Sequence, residues 1–134
     1  MKGRLNPLKA IFILLAAILA FYVAFLWITY IDKTIVTGSD YGFTIGETKE
    51  KVYEKIMLQQ ESYPSLHFYV RTGDRSRDFI ERSVNSVQLD RIREFERWGL
   101  QYDGKHEYFN GLKLKFSKNT LIEIHRHRKY FELP

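Results

Sequence analysis

The stretch Asn110–Arg128, "NGLKLKFSKNTLIEIHRHR", alternates apolar and polar side chains. Leu112, Leu114 and Phe116 fall on one side of the chain and Lys113 and Lys115 on the other, the period of a strand with one buried face. Ser117-Lys118-Asn119-Thr120 interrupts the pattern with turn residues, after which "LIEIHRHR" resumes an extended run. Upstream, "LQY", Asp103-Gly104 and "KHEYF" have the same strand–turn–strand order. Gly accepts the positive φ of tight turns, so Asp-Gly marks a hairpin. Asn110-Gly111 is either a further turn or a bulge inside one long strand. The C-terminal third reads as an antiparallel meander.

Helices precede it, which makes the fold class α+β. In "YGFTIGETKEKVYEKI" (41–56), Thr48 is placed to cap a helix, and Glu47 and Glu50 lie near its positive end. Val52, Tyr53, Ile56 and Met57 form the apolar stripe of a helix running to about Gln60. Ser62-Tyr63-Pro64 stops it, because proline disfavours helical backbone in the residue before it. "SLHFYVR" (65–71) is aromatic and β-branched and predicts a strand. Ile80, Val84 and Val87 have helical spacing and predict a second helix around 75–87. "QLDRIREFERWG" (88–99) fits helix or extended chain, with helix ending near Gly99 the favoured reading.

Residues 10–31, "AIFILLAAILAFYVAFLWITYI", contain no charge over 22 positions. A hydrocarbon core of ~30 Å takes about 20 helical residues, so this segment predicts a transmembrane helix. A secretory signal has an apolar core of only ~7–15 residues, shorter than this one. Trp27 and Tyr30 stand at its end, where aromatic rings favour the headgroup region. Lys2, Arg4 and Lys9 precede the span, while Asp32 and Lys33 cancel just after it. Positive flanks stay in the cytoplasm. The expected layout is a cytoplasmic tail (1–9), a span of the inner membrane (10–31), a linker (32–46) and an extracytoplasmic domain (47–134).

Cysteine is absent, which removes disulfides, thiol nucleophiles and a lipid-modified N-terminal cysteine. The chain's net charge of +5 owes much to the tail, since 18 basic residues face 16 acidic ones after the span. Such near balance argues against a nucleic-acid partner.

Two blocks resemble the small BamE/SmpA/OmlA envelope module, which shares its α+β fold with β-lactamase inhibitor proteins. "FTIGETKEKVYEKI" (43–56) is similar to that family's Gly-x-Thr-Lys-x-x-Val helix start. "RWGLQYDGKHEYFNGLKLKFSKNTLIEI" (97–124) is similar to its Trp-bearing strand, hairpin, long alternating strand and final strand. The resemblance implies two helices on one face of a three- to four-stranded antiparallel sheet. It also implies a non-enzymatic protein-binding module of the cell envelope. Members of the family are typically lipoproteins, whereas this chain carries a membrane span.

Candidate sites follow from residue type. His125 and His127 share one face of a regular strand and, with His67 or His106, would give three imidazoles for a metal. Arg126, Arg128 and Lys129 beside them disfavour a cation, so no metal or other cofactor is expected. Arg71, Arg75, Arg77 and Arg82 form an arginine-rich run suited to an acidic partner, or a solvated face paired with Asp74, Asp78 and Glu81. Ala16, Ala20 and Ala24 lie on one side of the span and allow close helix–helix approach, hence a homo- or hetero-oligomer through the membrane. Ser39-Asp40 has no histidine nearby in sequence, and Gly38, Gly42 and Gly46 follow no strand of a phosphate loop. The expectation is a non-enzymatic, membrane-anchored binding module whose partner is another envelope protein or an incoming toxin. The alternative is a ligand- or metal-sensing domain using the His-rich last strand.

Overall fold

The computed structural model describes residues 6–71, 78–81, 87–104 and 107–129. Helix α1 (Pro7–Thr29) opens with Asn6, whose side chain accepts from the Leu8 N–H, and with Pro7, whose missing N–H is no loss in a first turn. The helix ends at Tyr30, whose extended backbone leads straight into strand β1 (Ile31–Ile35). A two-residue hairpin follows, β2 (Ser39–Asp40) with β3 (Phe43–Thr44). Helix α2 (Lys49–Ser62) starts on Thr48, whose hydroxyl accepts from Lys51 N–H, and stops before Pro64 as the sequence predicts. Then come β4 (Leu66–Val70), β5 (Asp78–Glu81), the one-turn helix α3 (Leu89–Ile92), β6 (Arg97–Gly104), β7 (Glu107–Ser117) and β8 (Thr120–Arg128).

The main sheet is antiparallel with the order β1-β8-β7-β6-β4-β5. The α+β class and the meander agree with the sequence, but six strands replace the three or four implied by the resemblance. Three local readings account for the difference. Ile31–Ile35, expected at the end of the span and in the linker, pair in register with Arg128–Ile124, because Ile31, Thr34 and Ile35 are β-branched and β8 has an open edge there. Asp78–Glu81, expected within a helix, pair with Phe68 and Val70, so hydrogen bonding to the β4 edge overrides a weak helical period. Arg97–Gly99, favoured as the end of a helix, instead open a strand that takes in the expected Leu100–Tyr102 and runs to Gly104, and α3 is a single turn. Trp98, Leu100 and Tyr102 are buried with Arg97, Gly99 and Gln101 between them, a period of two that a helical reading of Ile92 and Phe95 obscures.

Asn110-Gly111 is not a turn. Both residues sit within β7, opposite Tyr102 and Gln101, and the register shifts just beyond them, between Tyr102 and Gly104. The β7–β8 connection is instead made by Lys118 and Asn119, with φ of 47° and 76°. Two consecutive residues of positive φ define the turn that matches the twist of a two-residue hairpin.

One face of the sheet is covered. Leu112, Leu114 and Phe116 of β7 meet Trp98, Leu100, Phe68, Leu121 and Ile124 from neighbouring strands, under Val52 and Ile56 of α2 and Phe43. The Trp98 indole N–H donates to the carbonyls of Ile92 and Phe95, fixing α3 over the core. The start of α2 is tied to the β7–β8 turn: Leu121 N–H donates to Glu47 O at 2.8 Å, and Asn119 Nδ2 to Glu50 Oε2 at 3.0 Å. Lys49 is buried there, its ammonium donating to Arg93 O at 2.6 Å. That bond and the Phe116 ring, 5.6 Å from Nζ, offset part of the cost of burying the charge. No residue of α1 is buried against this domain.

Candidate functional site

Residues paired across strands share a face, and those two apart along a strand share it as well. On the sheet face away from α2, the registers line up three rows. Nearest α1 is Asp32–His127–Gly111–Gln101–His67. The middle row is Thr34–His125–Lys113–Gly99–Tyr69. The far row runs Glu123–Lys115–Arg97 and reaches Arg71, whose N–H donates to Arg97 O at 3.0 Å.

The far two rows enclose a groove of about 240 Å³ lined by Arg71, Arg97, Lys113, Lys115, Glu123 and His125, with the Trp98 and Leu114 positions at its floor. Four permanent cations and one carboxylate thus line it among the described residues. Lys115 Nζ and Glu123 Oε2 are 3.9 Å apart, with both side chains more than a third exposed, so solvent screens the pair. Tyr69 ends the middle row beside Gly99. It is buried although it lies on this face, because its ring covers Gly99, where a Cβ would sit 2.0–2.5 Å from the ring carbons.

The second feature is the junction of α1 with the sheet. Asp32 stands between both histidines: His125 Nε2 donates to Asp32 Oδ1 at 2.6 Å, and His127 Nδ1 lies 4.0 Å from Oδ2. The Tyr30 hydroxyl donates to Oδ2 at 3.0 Å. Hydrogen bonding from His125, then from Tyr30, holds the Asp32 carboxyl below its usual range. The Tyr30 ring meets His127 edge-on at 5.7 Å, and Lys129 Nζ lies 5.8 Å from the same ring centroid.

On the helix side, Tyr102 donates to Gln59 Oε1, Gln59 Nε2 donates to Tyr41 O, and Asn110 Nδ2 donates to the Tyr41 hydroxyl. Burial pushes the Tyr102 phenol well up. The Arg126 guanidinium covers the Tyr41 ring at 4.5 Å and lies 3.7 Å from Asp40. These contacts tie α2 and the β2–β3 hairpin to β6, β7 and β8. A larger, shallower groove of about 730 Å³ along α2 is lined by Tyr53, Met57, Leu58 and Pro64 with Glu54 and Glu61 at its rim, and it lacks converging charge.

The sequence-predicted residues fare unequally. His125 and His127 do share a face, where they engage Asp32. His67 shares the row of His127 but lies three strands from β8, about 14 Å at ~4.8 Å per strand, too far for one metal shell. Among the described residues no three His, Cys, Asp or Glu stand close enough together to hold a metal, and His106 lies outside them. Of the arginine run, Arg71 lines the groove, while Arg75, Arg77 and Arg82 lie outside the described residues. Ala16, Ala20 and Ala24 are exposed along α1. Arg97, Lys113 and Lys115 were not among the predicted site residues; the Lys-x-Lys alternation was the available signal, and Arg97 was hidden by the helical reading of its segment. No family model, curated protein or solved structure matches the chain.

Proposed function

We propose that this chain is a membrane-anchored, non-enzymatic binding module that holds an acidic segment of a partner protein on the uncovered face of its sheet. The observation that carries the reading is the convergence of Arg71, Arg97, Lys113 and Lys115 on one groove. Guanidinium forks match carboxylates in pairs and ammonium groups add point charge, so the groove complements Asp- or Glu-rich chain. The anchor rests on α1, which is long and apolar enough to cross a bilayer and is 0% buried in the domain over its most apolar stretch. The tail charges favour the domain lying outside the cytoplasm. Such an arrangement suits an accessory of an envelope complex or an inhibitor that covers an incoming toxin, in line with the BamE-like resemblance.

A photo-crosslinking residue at Gln101, which faces the same side in the row next to the groove, tests this in native membranes. The expected adduct maps to an acidic segment of one envelope protein or toxin and disappears in Lys113→Glu/Lys115→Glu. Adducts of equal yield after charge reversal would refute the acidic-partner reading.

A further inference from the structure

We infer that His125 makes the sheet groove proton-gated, so that acidification tightens its hold on an acidic segment. The inference deepens the proposed function and rests on that reading of the groove. His125 lines the groove beside Lys113, its cross-strand partner on β7. Its side chain keeps 25% of its exposure, so a bound chain has access to the ring. Histidine is the side chain whose charge ordinarily changes between about pH 5 and about pH 8, whereas Lys, Arg and ionised carboxylates keep theirs. One proton on this ring therefore adds a cation to those already lining the groove.

Asp32 decides where that proton goes. Hydrogen bonds from His125 and Tyr30 hold its carboxyl below the usual range, so it stays ionised over this interval and only accepts. The hydrogen in the 2.6 Å contact then belongs to His125 Nε2, and in the neutral ring Nδ1 is an acceptor. Uptake occurs at Nδ1 and turns that acceptor into a donor. The ring then offers only N–H groups and a positive charge, which is what a carboxylate takes. Among the described residues, the charged and titratable groups around the ring begin with Asp32 of β1, which Tyr30 also engages, and with Glu123 and His127 of β8. Lys113 and Lys115 of β7, Arg97 of β6, and Tyr69 and Arg71 at the end of β4 complete them. His127 stands in the row outside the groove and serves as the internal control.

The full chain in detergent micelles, titrated with a fluorescent oligo-aspartate peptide at constant ionic strength, provides the test. Aspartate stays ionised over the range used. The expected result is binding that tightens about two- to fivefold from about pH 7.5 to about pH 5.5, the size of one partly exposed ion pair. His125→Gln, which still carries a donor for Asp32, should bind as the parent does at the upper pH and show no tightening, whereas His127→Gln should keep it. Linkage requires the converse in the unmutated chain: the His125 ring signal in NMR should titrate at higher pH with peptide bound than without. The proton gate alone is overturned by peptide that binds equally at both pH values, by tightening that survives in His125→Gln or is lost equally in His127→Gln, or by a His125 titration that the peptide does not move. Peptide that binds at neither pH, or that binds Lys113→Glu/Lys115→Glu as well as the parent, sinks the groove reading and the gate together.

Discussion

At Gly99 the sheet has room for hydrogen and nothing larger, because the Tyr69 ring occupies the space over the backbone. Gly99→Ala should destabilise the domain by about 1–3 kcal/mol through overpacking. The penalty should shrink in a Tyr69→Ala background, which a double-mutant cycle of urea melts measures. Equal penalties in both backgrounds would mean that Tyr69 is not the obstacle. Asp32 gives a second test at this scale. Its carboxyl is held below the usual 3.8, so its contribution is fully present above that value and drains away as pH falls through the lower folded value. Asp32→Asn should therefore flatten the acid limb of stability against pH below 4, roughly the unfolded value. An unchanged acid limb would show that the His125 hydrogen bond is not holding the carboxyl down.

The β7–β8 turn carries an argument at the scale of elements. Lys118 adopts a positive φ without the help that Gly or Asn would give, at a cost of about 1 kcal/mol. Lys118→Gly should recover much of that and raise the midpoint of thermal unfolding. Asn119→Ala should lower it, since Asn119 tolerates positive φ and also donates to Glu50. A Lys118→Gly variant less stable than the parent would contradict the turn geometry. This turn, the meander and α2 were legible in the sequence because each repeats a period or ends on a marked residue: Leu112-Leu114-Phe116, Thr48, Pro64. The strands β1 and β5 and the start of β6 were not, for a physical reason. Each is a short run whose apolar residues suit two periods, and pairing with a distant strand decides between them. The groove was half legible for the same reason. Lys113 and Lys115 announce a polar face by alternation, whereas Arg71 and Arg97 reach it only through the register of β4 on β6 and β6 on β7.

For the whole molecule, the pairing of β1 with β8 means that the segment beyond the span is part of the domain. Removing residues 1–30 should leave a domain that unfolds cooperatively, because α1 contributes no buried residue to it. Removing residues 1–35 should lower the melting temperature clearly, since Ile35 then no longer packs beside buried Ile124 and the β8 edge loses its partner. Circular dichroism melts of the two truncations distinguish the cases, and equal melting temperatures would return β1 to the role of a linker. The same pairing has a mechanical consequence. β1 runs antiparallel to β8 through five opposed positions, and its first residue is the one fastened to the membrane helix. A pull on the domain along β1 loads all five positions in shear at once, instead of peeling them apart one by one. On the proposed reading, this geometry suits the module to hold a partner under tension against a bilayer.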